Sequence, residues 1–340
     1  MKYPVLFATV ACLAASSLQQ SVSAAQATHT SKGYLLIANK GDQCLGIIDP
    51  VAGKQIATIA EDGVTGHEVA ASPDGKYAYV PIYGNSGVGK AGTDGKLMRV
   101  MDLEARKIIG TVEFEKPVRP HCAVVGPRNG LLYVTTELAN TITVIDPKTL
   151  KIIGSVPTGQ EESHMLAISS DGKRGYTANV APGTVSVLDM EGMKTLKQIK
   201  TAPVTQRIAI SVDDRYVFTA DQTKPELVVI DTASNEVTKR IPLPGVAYGT
   251  ATTPDGHWLV AALPKEQKVL LIDLKEMKAG QSFDVPRSPQ EVLVQPDGAF
   301  AYISCDASKK VAMLNLKEMK IEKLIDAGAG ADGLAWAPAK

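Results

Sequence analysis

One pattern recurs seven times along this 340-residue chain: an apolar residue, then Asp, then a turn. The copies are Ile48-Asp49, Met101-Asp102, Ile145-Asp146, Leu188-Asp189, Ile230-Asp231 and Ile272-Asp273, with Leu314-Asn315 replacing Asp by Asn. Successive intervals are 53, 44, 43, 42, 42 and 42 residues. A second anchor marks the turn after an earlier strand, as in Pro73-Asp74-Gly75, Ser170-Asp171-Gly172, Pro254-Asp255-Gly256 and Pro296-Asp297-Gly298. Each copy reads as four short strands; in the fourth they are expected near 165–169, 175–180, 185–189 and 195–200. Alternation and β-branched residues mark them, and no helical period competes. Four antiparallel strands repeated at this period predict an all-β, seven-bladed β-propeller. The chain opens on a second strand (33–38) and ends after a first strand (333–336), so the two ends are expected to complete one blade. Residues 33–340 are therefore read as one domain.

The first segment reads as an address. Lys2 supplies a positive start, residues 5–18 are apolar but too short to span a bilayer, and small residues follow. A signal peptide of residues 1–24 is expected, with cleavage as late as 27, and export to the periplasm or the medium. Thr9-Val10-Ala11 makes a poor lipobox before Cys12, so a lipid anchor is not expected. No other stretch is apolar and long enough for a membrane helix. Removing the leader leaves Cys44, Cys122 and Cys305, an odd number that leaves open whether one pair forms.

The third copy contains Leu132-Tyr133-Val134-Thr135-Thr136, then Val144-Ile145-Asp146, then Gly154-Ser155-Val156-Pro157-Thr158-Gly159. It resembles the YVTN-type propeller repeat of secreted and surface-layer proteins, including YncE-like periplasmic proteins. Thr136 stands where that motif has Asn, and Cys122 follows His121 where the family usually has Gly. The resemblance implies a seven-bladed propeller outside the cytoplasm and says little of function.

Features common to every blade explain the blade, so function is sought where copies differ. Six residues before each turn anchor the innermost strand begins, at the mouth of the central channel. The seven occupants are His67, His121, His164, Gln206, Tyr248, Gln290 and Asp332, which include three of the five histidines. Three neutral imidazoles with Asp332 across the closure would suit Zn, Cu or Fe. Arg119, Arg207 and Arg287 lie close by in sequence and could hold or steer an anionic ligand. The first interval exceeds the others by an insertion at 84–96, which includes Gly87 and Lys90 and is expected on the same face as a lid or contact loop. Its G-x-x-x-x-G-K look is superficial: Ala91 follows, and no helix does, so no nucleotide is expected.

The favoured reading is a monomeric binding propeller that engages a small ligand or a protein partner through this face. The alternative is a metal-dependent enzyme (lyase, lactonase or oxidoreductase) with His67, His121 and His164 as ligands. Single-stranded nucleic acid, suspected for some YncE-like relatives, is disfavoured by 5% aromatic residues and by 36 basic residues balancing 36 acidic ones.

Overall fold

The computed structural model describes residues 1 and 32–339. The expected leader, Cys12, the cleavage region and His29 lie outside the described residues.

Seven four-stranded antiparallel sheets form the blades. In the fourth, Ser163–Ile168, Arg174–Asn179, Thr184–Asp189 and Lys194–Lys200 pair in chain order, innermost to outermost. The first blade instead takes its inner strand from the far end of the chain: Ala331–Pro338 pairs with Gly33–Asn39, with Leu35 opposite Trp336. This closure ties the two ends of the chain into one blade.

Local chemistry accounts for the repeat. Each recurring Asp caps the turn into the outer strand. Asp49 Oδ1 accepts the N–H groups of Val51 and Ala52, and Asp273 Oδ1 accepts those of Lys275 and Glu276. Asn315 does the same for Lys317 and Glu318, which is why Asn substitutes without loss. In every blade the outer strand then slips register by one residue, as between Val144 and Ile145.

The core lies between blades. Ile142, Val144 and Val156 of the third blade join Leu166, Tyr176 and Val187 of the fourth in one buried cluster. Alternating strand residues face opposite neighbours, so one blade feeds two such clusters. The central strands are consequently apolar on both faces, as in Leu227–Ile230, all buried. Cys44, Cys122 and Cys305 are free thiols, and burial pushes Cys122 and Cys305 up to about 12. The inner strand of each sheet lines the central channel, with its start at the channel mouth.

Candidate functional site at the channel mouth

His121, His164 and Asp332 are buried at the mouth, while His67, Gln206, Tyr248 and Gln290 are half-buried. The three histidines meet through their rings. His121 and His164 stack with centroids 3.7 Å apart and planes inclined by 32°. His67 stands edge-on to His121 at 5.7 Å. Tyr83, fully buried, packs against all three, at 4.7 Å from His67, 5.1 Å from His121 and 6.2 Å from His164. Among the described residues no three His, Cys, Asp or Glu are arranged to hold one metal ion.

All three imidazoles are held neutral. Burial lowers His67 to about 4, lowers His164, and lowers His121 well below its ordinary value. His121 Nδ1 is buried without a hydrogen-bond partner, and the His67 ring has no hydrogen bond among the described residues. His67 is the least buried of the three.

Asp332 does not join the histidines. It bonds Lys40 at 2.9 Å and lies 3.7 Å from Arg207. That arginine is the centre of a second layer, formed by the residues one step beyond each mouth position. Arg207 Nη1 bonds Glu68 Oε1 at 2.7 Å and Glu291 Oε2 at 2.5 Å, and its guanidinium lies 4.4 Å over the Tyr248 ring. Gly333 and Gly249 complete the layer where space runs out: a Cβ at Gly333 would come within 2.5 Å of Glu68 Oε2. Burial opposes charge on Arg207, but Tyr248, Glu291, Glu68 and Asp332 hold it protonated. Burial also raises Glu68 and Glu291, despite the arginine they share.

Arg119 has a different task. It bonds Asp94 at 2.6 Å, Glu137 at 3.1 Å and the Lys90 carbonyl at 2.6 Å. The insertion between Tyr77–Gly84 and Asp94–Asp102 is thereby strapped to the third blade. Asn85 pairs with Thr93 across its base, and at Gly95 a Cβ would meet Ile82 O at 1.6 Å, so glycine is obligatory there. The segment is a tied hairpin, with Gly87 and Lys90 exposed at its tip. Beside it lies a cavity of about 470 Å³ lined by Lys90, Arg119, Glu137, Leu138, Glu161 and Glu162, among others. Arg287 is exposed; its carbonyl accepts Ser308 Oγ, and its side chain has no ion-pair partner among the described residues. The three arginines thus occupy three unlike places.

Tyr83, Glu137, Lys40, Glu68 and Glu291 are parts of the site that inspection of the repeat passed over. Glu68 and Glu291 carry a readable signal, because they immediately follow His67 and Gln290 in the register where Arg207 follows Gln206.

Glu61, at the rim near His67, is fully buried; one carboxylate oxygen accepts Gly66 N–H at 2.7 Å and the other has no partner. Burial raises it from 4.5 to about 7. The folded chain therefore keeps a proton that the unfolded chain releases, and stability falls as pH rises from 4.5 to 7, by about 3 kcal/mol. Glu61→Gln removes that titration. Denaturant melts at pH 4.5 and pH 8 should show the variant gaining about 3 kcal/mol on the parent between the two. A constant difference would contradict the assignment.

No curated protein matches the chain. Among solved structures, hydrazine synthase of Kuenenia stuttgartiensis is similar with a TM-score of 0.70 at 18% identity, over 88% of this chain and 99% of that one. The dihydro-heme d1 dehydrogenase NirN in complex with DHE is similar with a TM-score of 0.64 at 14% identity, over 89% of this chain and 74% of that one. At such identities these likenesses show the propeller fold alone. The seven-bladed propeller expected from the YVTN-type repeat stands, and the family model that matches is not specific to the YVTN-type. Residues 125–337 match the cytochrome d1 heme domain, more than half of the sequence, and the chain belongs to that family.

Proposed function

We propose that this chain is an exported ligand-binding propeller that receives a heme-type tetrapyrrole over the channel mouth. The family membership motivates the ligand class, and NirN, similar in fold, is a dihydro-heme d1 dehydrogenase solved in complex with DHE. The observation that carries the reading is His67: a half-buried imidazole held neutral, with no hydrogen bond among the described residues. A neutral, unpartnered imidazole is the donor that heme iron takes. Half-buried Gln206, Tyr248 and Gln290 complete a polar floor on which a flat ligand could rest. Arg207 and Arg119 are occupied by carboxylates. Lys90 and Arg287, exposed on this face and outside any ion pair among the described residues, could meet carboxylates on the ligand's edge.

His67 would hold the iron, and a bound heme would supply redox and ligand-exchange chemistry there. The chain's own residues do the rest. The Tyr83 ring fixes the plane of His67, and burial keeps the imidazole unprotonated at neutral pH. The ionic layer around Arg207 closes the channel beneath the mouth. A protein partner would approach on the same face, where the tied hairpin projects. Titration of the full chain with hemin should give one saturable site per chain and a Soret band of imidazole-ligated iron. Absence of saturable binding, or uptake of zinc alone at that site, would overturn the reading.

A further inference from the structure

We propose that Glu137 is the positioning residue of this site: it fixes His164 in the tautomer that carries hydrogen on Nδ1 and turns the Nε2 lone pair toward Gln206 and the mouth. The inference deepens the ligand-binding reading and rests on the mouth being the site.

Glu137 opens a short 3₁₀ turn, Glu137–Ala139, after the second strand of the third blade, and is 1% exposed. Three groups converge on its carboxylate. Tyr83 Oη donates to Oε2 at 2.7 Å, Arg119 Nη1 donates to Oε1 at 3.1 Å, and His164 Nδ1 faces Oε2 at 3.6 Å. The last distance is long for a hydrogen bond, and no other partner reaches that nitrogen among the described residues. Burial would raise this carboxyl, but His164, Tyr83 and Arg119 hold it below its ordinary value, so it is an anion.

The other side of the ring fits the same assignment. His164 Nε2 lies 3.4 Å from Gln206 Nε2, which also donates to Tyr248 Oη at 2.9 Å. With hydrogen on Nδ1, the ring points N–H at an anion and a lone pair at an amide donor. The opposite tautomer would set a lone pair against carboxylate lone pairs, and a reversed Gln206 amide would not relieve that repulsion. Five side chains then form one directed line from Arg119 and Tyr83 through Glu137 and His164 to Gln206. Because Arg119 also holds Asp94 and the Lys90 carbonyl, the inserted hairpin and the mouth histidine share one carboxylate. Glu137 acts through His164 and through Tyr83, whose ring orients His67 and His121.

The test uses the ligand-free full chain, labelled with ¹⁵N, and two-bond proton–nitrogen correlations of the histidine rings at pH 7. The wild type should show His164 with Nδ1 protonated and Nε2 bare. Glu137→Ala should shift it to the Nε2-protonated tautomer or to a mixture, while Glu137→Gln, which keeps an acceptor oxygen, should retain the wild-type pattern. A purely structural role would change stability without changing the tautomer. Wild-type His164 protonated on Nε2 would overturn the proposal even if Glu137→Ala fails to fold. So would an unchanged tautomer in a folded Glu137→Ala. Since no tetrapyrrole is present, failure here and failure to bind hemin are separate results.

Discussion

Arg207→Met is expected to destabilise the chain by about 3–5 kcal/mol, read as a fall in the denaturant midpoint at pH 8. Methionine nearly fills the volume, so the loss reports charge more than packing. Without the guanidinium, Glu68 and Glu291 lose the nitrogen they share, and Asp332 keeps only Lys40. A buried charge stripped of its partner costs more than the intact pair contributed. Both glutamates are already pushed up by burial, so removing the cation drives them further toward the neutral acid. The deficit should therefore shrink as pH falls, because folding then takes up protons rather than burying charge. Adding Glu68→Gln to Arg207→Met should recover part of the loss, a coupling that a double-mutant cycle measures. Equal losses at pH 5 and pH 8, with no recovery in the double variant, would contradict the clamp.

His67→Ala should abolish imidazole-type ligation of hemin while leaving the propeller intact. The half-buried ring contributes little to any interblade core, so the far-ultraviolet spectrum and melting midpoint should stay close to the parent's. Affinity should fall by on the order of 100-fold or more, since metal coordination is lost and the remaining contacts are ordinary polar ones. His121→Ala should behave differently. That ring is buried between His164 and Tyr83, so its removal leaves a cavity and should lower stability before it alters ligation. Acidification separates the two roles again. His67 is held near 4, against an ordinary 6.5. Neutral imidazole thus supports the folded state above 6.5, and that support is lost as pH falls toward 4. Hemin ligation should persist from pH 8 to below 6 in the wild type.

Much of this architecture is legible in the residues. The 42-residue period and its capping Asp place every blade, because each cap accepts one or both of the N–H groups two and three residues on in the same turn. Strand limits are less legible: the fourth inner strand begins at Ser163, two residues before its alternation starts, because Ser163 bonds Asn179 across the strand pair. The mouth ring of seven follows from counting back from each turn. The layer beneath it does not follow from histidine placement. Glu68, Arg207 and Glu291 are ordinary surface residue types in composition, and only their shared register, one step past the mouth, puts them on the channel axis. Glu137 lies off the repeat altogether. Its role depends on a turn that carries it under Tyr83 from a different blade, a contact that no local spacing encodes.

The electron paramagnetic resonance of the ferric complex, with hemin bound to chain labelled with ¹⁵N-histidine, tests the central claim most directly. The account predicts hyperfine coupling from one histidine nitrogen to the iron in the wild type, retained in Glu137→Gln and absent in His67→Ala. Wild-type iron without histidine coupling, or coupling that survives in His67→Ala, would contradict it.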